Sequence, residues 1–154
     1  MDYLSMTIGK QKNIALIAHD QKKHELMDWC LEHKEALSKH FLCGTGPTAR
    51  MITEYTGLSV KGYNSGPLGG DQQIGDKIVE GKIDFVIFFS DLLTAQPQDP
   101  DVKTLLRNAQ VNDIPIANNK ASADFMIPSH LMVEEYEHDV VNFRQNIADR
   151  ANTL

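Results

Sequence analysis

Phe85-Val86-Ile87-Phe88-Phe89, closed by Asp84 on one side and by Ser90-Asp91 on the other, is the longest strongly apolar run of the chain. Consecutive apolar positions leave no polar face, so a strand here must be covered on both sides, as the central strands of a parallel sheet are. The run is far short of the ~20 residues that a bilayer requires. Other runs near strand length flank it: Ile14 to Ala18, Phe41 to Cys43, a weaker Leu58 to Tyr63, and Ile114 to Ala117, with Ile83 extending the central one at its start. Between them the apolar spacing turns helical, most clearly at Val102, Leu105, Leu106 and Ala109, with Asp99 as N-cap and Pro100 at the first helical position. Further helices are expected to begin near Asp20, Thr48, Asp71 and Ser122. A last one is expected from Tyr136, Val140, Phe143 and Ile147, spaced by four, three and four.

Alternating strand and helix implies right-handed crossovers and a single-domain, doubly wound α/β sheet of five mainly parallel strands with helices on both faces. The domain is expected to run over residues 13–154, with residues 1–12 as an N-terminal extension. In 154 residues, 15 Lys+Arg against 21 Asp+Glu leave a net charge of −6, and 42% of residues are apolar, enough for one real core. A negative chain without a Lys/Arg block lacks the footprint for nucleic acid or an anionic membrane, so neither is an expected partner. Met1 to Met6 show no positive leader followed by an apolar region, and Cys30 and Cys43 fit neither a disulfide framework nor a zinc pattern, so a cytoplasmic setting is expected.

Ligands of such sheets sit beyond the carboxyl ends of the strands, and the unusual residues fall at those exits. His19-Asp20 follows the first run, Gly44-Thr45-Gly46-Pro47-Thr48 the second, and Ser65-Gly66-Pro67-Leu68-Gly69-Gly70-Asp71 the third. Ser90-Asp91 follows the fourth, and Asn118-Asn119 the fifth. Each has a bland reading beside a functional one. Asp20 and Asp71 would serve as helix caps, Asp101 as a first-turn carboxylate stabilised by the helix dipole, and Lys23 as a solvated side chain. Glycines and hydroxyls at a helix start also make an anion site, because free N–H groups and the dipole face the ligand. Neither GxGxxG nor GxxxxGK[ST] is present, since Gly81-Lys82 precedes a strand, and the remaining histidines show no HExxH spacing, so no metal is expected. Hydroxyls, N–H groups and a lysine suit a phosphate, and carboxylates beside it suit proton abstraction from carbon. The residues alone thus point to an enzyme acting on a small phosphorylated carbonyl compound.

Several segments of the chain closely resemble the methylglyoxal synthase family. They are Ile14-Ala15-Leu16-Ile17-Ala18-His19-Asp20 with Lys23, Thr45-Gly46, Ser65 to Gly75, Gly81-Lys82-Ile83-Asp84, Asp99-Pro100-Asp101-Val102-Lys103 with Leu105-Leu106-Arg107, and Ala123-Asp124-Phe125. The resemblance implies a cofactor-free lyase that turns dihydroxyacetone phosphate into methylglyoxal and inorganic phosphate, in a homohexamer that phosphate inhibits. It implies Asp71 as the base, Asp101 as its carboxylate neighbour, His19 polarising the substrate oxygens, and Asp20 and Asp91 as supporting carboxylates. Lys23, Thr45, Gly46, Pro47, Thr48, Ser65, Gly66 and Gln98 would contact substrate or its phosphate, and Arg107 and Arg150 would serve the subunit interface and the phosphate response. Three positions depart from the family: Gln98 stands for a usual His, Pro47 for a usual Thr, and Ser90-Asp91-Leu92 for Trp-Asp-Pro. The competing class is a phosphate-ligand-binding regulatory module, since the same fold resembles the allosteric domain of carbamoyl phosphate synthetase and a cyclohydrolase domain of purine synthesis.

Overall fold

A computed structural model of the chain describes residues 2–64, 70–93 and 102–142, with Asp71 and Val102 described by backbone alone. Strands β1 (Tyr3–Ile8) and β2 (Asn13–Ala18) lead through a 3-10 turn, Asp20–Lys22, into α1 (Lys23–Glu32) and the single turn α2 (Lys34–Leu37). Then come β3 (Phe41–Thr45), α3 (Gly46–Thr56), β4 (Val60–Tyr63), α4 (Gly70–Val79) and β5 (Phe85–Phe89). The chain continues through α5 (Val102–Val111), β6 (Ile116–Ala117), α6 (Lys120–Met126), a 3-10 turn at His130–Val133, and β7 (Tyr136–Val141).

Five strands form one sheet in the order β4-β3-β2-β5-β6, every neighbouring pair parallel. β5 is buried at every position, as its unbroken apolar run requires. Because successive strand residues point to opposite faces, the core divides in two. Ile14, Leu16, Ala18, Phe85, Ile87 and Phe89 pack with Leu26 and Trp29 of α1, Ile52 of α3 and Ala123 of α6. Ala15, Ile17, Val86 and Phe88 pack on the other face with Ile74 and Ile78 of α4 and Leu105 of α5. Helices therefore cover both faces, and the sheet is doubly wound.

The strand order sets where a ligand fits. From β2 the chain moves outward to β3 and β4, then returns to place β5 on the opposite side of β2. Their carboxyl ends diverge into helices on opposite faces and leave a crevice between the β2 and β5 exits.

The carboxy-terminal helix expectation fails over Tyr136 to Val141. This segment is strand β7, paired antiparallel with β1 from Tyr3↔Val141 to Ile8↔Tyr136 in a separate two-stranded ribbon. The spacing of Tyr136 and Val140 is compatible with a helix turn, but the ladder with β1 supplies the backbone hydrogen bonds instead, and β-branched Val140 and Val141 suit it. Phe143 and Ile147, and the Asp99 and Pro100 cap, lie outside the described residues. The ribbon, which includes residues expected to lie outside the domain, is tied to the sheet by Lys12. Its Nζ donates to the carbonyls of Gly9 at 2.5 Å and Glu134 at 2.6 Å.

Candidate active site

At the crevice the β2 and β5 exits are joined by hydrogen bonds. The backbone N–H of His19 donates to the Phe89 carbonyl at 3.1 Å, and the backbone N–H of Asp91 donates to His19 Nδ1 at 2.7 Å. The same ring nitrogen lies 3.2 Å from the Asp91 carbonyl oxygen. The shorter contact is to a donor, so Nδ1 accepts, and the hydrogen of the imidazole is left on Nε2. The ring is 2% exposed and stands edge-on to Phe88, centroids 5.1 Å apart at 88°. Packing and a main-chain donor thus fix both its plane and its tautomer.

Asp91 meets His19 through its backbone, while its carboxylate Oδ1 accepts from the N–H of Leu93 at 3.1 Å, a local turn that shapes the loop after β5. Asp20 is not a helix cap. It opens the 3-10 turn, and its Oδ1 pairs with Lys23 Nζ at 3.0 Å across one turn. Lys23 is accordingly held at the β2 exit by a carboxylate.

The β3 exit is built by close backbone approach. A Cβ on Gly44 would stand 2.6 Å from the Leu16 carbonyl oxygen, and one on Gly46 2.7 Å from that of Tyr63, so both positions exclude any side chain. The end of β3 is thereby pressed against β2, and the start of α3 against β4. Thr45 and Thr48 are both buried, and the Thr45 hydroxyl bonds the Thr48 hydroxyl at 3.3 Å instead of capping the helix. Pro47, exposed in the first turn, has no N–H to offer. Among the described residues no side chain caps the α3 start, in contrast to α6, where Asn119 Oδ1 accepts from the N–H of Ser122 at 2.8 Å. Asn119 is therefore a cap, and Asn118 accepts from the Ser90 hydroxyl at 3.2 Å through its carbonyl. An uncapped N-terminus flanked by buried hydroxyls retains its dipole and N–H groups for an anion.

Asp71 is the second residue of α4, inside its first turn and so not the N-cap. Its side chain, and Ser65, Gly66, Gln98, Asp101 and Arg150, lie outside what the structure describes. Arg107 sits midway along α5 and is exposed. Burial raises the thiols of Cys30 and Cys43 to about 12 and about 11, which disfavours the thiolate form that a nucleophile needs. Among the described residues there is no cluster of metal-ligating side chains. Sequence reading missed the Asp91 backbone amide and the Phe88 ring. A main-chain donor leaves no mark on residue type, although the placement of His19-Asp20 and Ser90-Asp91 after adjacent strands was a signal that the two exits face one crevice.

The MGS-like domain family matches residues 25–118. The methylglyoxal synthase of Clostridium acetobutylicum is 54% identical over 140 residues, covering 91% of this chain and 97% of its own. That of Saccharophagus degradans is 53% identical over 147 residues, covering 96% of each. A crystal structure of methylglyoxal synthase from Elizabethkingia anophelis NUHP1 superposes with a TM-score of 0.89 at 43% identity, over 94% of this chain and 95% of that one.

Proposed function

This chain belongs to the methylglyoxal synthase family, and on that premise we propose that the crevice between β2 and β5 is its catalytic centre, with Asp71 as the base. The enzyme is a carbon–oxygen lyase that converts dihydroxyacetone phosphate to methylglyoxal and inorganic phosphate. The Asp71 carboxylate takes a proton from the hydroxymethyl carbon beside the carbonyl, and the C–H electron pair moves into an enediolate. That electron pair then expels phosphate, which leaves with the electrons of its C–O bond while the proton of the terminal hydroxyl passes to the former ketone oxygen, and the resulting enol ketonises to methylglyoxal.

The observation that carries this reading is the Asp91 N–H seated on His19 Nδ1. With Nδ1 accepting from the Asp91 N–H, Nε2–H is the end that polarises the substrate oxygens as charge develops there. Asp101 is the neighbour that tunes the base, and Gln98 supplies a hydrogen bond where the family usually has His. Thr45, Thr48, Ser65, Gly66 and Lys23 hold the phosphate, with Gly46 allowing the close approach and Pro47 shaping the turn. These groups keep the breaking C–O bond roughly perpendicular to the enediolate plane, so that it overlaps the π system. Orientation of this kind contributes several kcal/mol. Asp20 holds Lys23 in place, and Asp91 holds the loop that presents its amide to His19.

The finer assignments belong to the same proposal: a cytoplasmic homohexamer, inhibited by its product phosphate through Arg107 and Arg150, with the synthase domain spanning residues 13–154. Incubating the purified protein with dihydroxyacetone phosphate and trapping the dicarbonyl tests the central claim. Wild type is expected to release methylglyoxal, and Asp71→Asn about 10²–10⁴-fold less. Release of glyceraldehyde 3-phosphate instead, or full turnover by Asp71→Asn, contradicts it.

A further inference from the structure

Arg50 lies four residues after Gly46, one turn along the same side of α3, and is exposed. The buried side of that helix carries Thr48, Ala49, Ile52 and Thr56, so Arg50 faces away from the core. Helical side chains lean toward the N-terminus and cover the turn before their own Cα. That lean favours the turn that holds Gly46 and Pro47. Gly46 in turn abuts the carbonyl of Tyr63, the last residue of β4. The turn of α3 that precedes Arg50 thus borders the β3 and β4 exits.

Three features give a cation there a task. The chain carries a net charge of −6, which opposes the approach of a phosphate dianion. Lys23 has Asp20 3.0 Å away to offset its charge, and Pro47 withholds one N–H from the turn. Arg50 makes no ion pair among the described residues. We propose that Arg50 is a substrate-capturing cation, drawing the phosphate monoester dianion into the uncapped start of α3 and offsetting the donor that Pro47 lacks. This rests on the function proposed above.

The test compares wild type, Arg50→Gln and Arg50→Lys across a salt series, with folding checked by thermal melting. Arg50→Gln is expected to lower kcat/KM for dihydroxyacetone phosphate about tenfold at low ionic strength, almost wholly through KM, and salt should erase the difference. Arg50→Lys should restore most of the loss, because a charge suffices. Calorimetric titration with inorganic phosphate reads the same cation without turnover, and Arg50→Gln should bind it more weakly. If wild type makes no methylglyoxal but Arg50→Gln still weakens phosphate binding, the reaction assignment fails and this inference stands. An Arg50→Gln protein with unchanged phosphate affinity, or with a kcat/KM loss that salt does not touch, overturns it.

Discussion

The two ends of the parallel sheet treat their buried polar groups differently. At the amino ends of the strands those groups bond one another. Lys12 gives its ammonium to two carbonyls, its own N–H donates to His40 Nδ1 at 2.9 Å, and Asp84 Oδ2 accepts from both the backbone and the side chain of Asn13. A cavity of about 370 Å³ under the ribbon, lined by Ile8, Phe85, Ile114 and Met132, is otherwise largely apolar. At the carboxyl ends the contacts instead orient groups around the strand exits. A backbone amide turns His19, two threonine hydroxyls face each other, and α3 starts without a cap. The same residue types thus serve as ties at one end and, under the proposed function, as chemistry at the other, and geometry distinguishes the two settings where composition does not.

Paired substitutions sharpen this contrast. His19→Gln retains a polar side chain but loses the ring held between Phe88 and the Asp91 amide. We expect kcat to fall about 10²–10³-fold, the usual size for a lost preorganised donor, with the unfolding midpoint little changed. Lys12→Met should do the opposite. It leaves two carbonyls without their donor, which costs about 1–3 kcal/mol of stability seen in urea denaturation, while kcat holds. A His19→Gln protein that loses stability but not rate, or a Lys12→Met protein that loses rate but not stability, would break the division between the two ends.

A smaller effect is expected at the loop between β5 and α5. Gln98 can hydrogen-bond but cannot shuttle a proton, so Gln98→His should raise turnover several-fold, about 1 kcal/mol of barrier. An unchanged kcat would show that this position only binds.

The sheet was legible because its signals are local. Phe85 to Phe89 has no polar position to expose, and each strand exit is marked by residues that are rare in element interiors, such as Gly44, Gly46 and His19. The ribbon was not legible. β1 reads Tyr-Leu-Ser-Met-Thr-Ile with only Ile8 buried, and its partner lies more than a hundred residues away, where Tyr136 and Val140 suit a helix as well as a strand. Long-range pairing decides between them, and no window along the chain contains both partners. In the site, residue types at the exits were legible and their wiring was not. Asp20 and Asp91 were expected as supporting carboxylates, and the type alone gave neither the Lys23 partner of the first nor the amide through which the second meets His19.

His40 offers the mildest test, at the amino end. Burial first, and then the charges of Lys12 and Lys39, hold its imidazole below the ordinary value of 6.5. The neutral ring is also the form that accepts from the Lys12 N–H. As pH falls through 6.5 the unfolded chain takes up a proton that the folded chain still refuses, so folding weakens from there down to the folded-state value. Asn at this position keeps an acceptor for the Lys12 N–H but does not titrate. We therefore expect the urea midpoint of wild type to drop more between pH 7 and pH 5 than that of His40→Asn. Equal drops would mean that acid sensitivity arises elsewhere, and that the Lys12–His40 contact tolerates a charged ring.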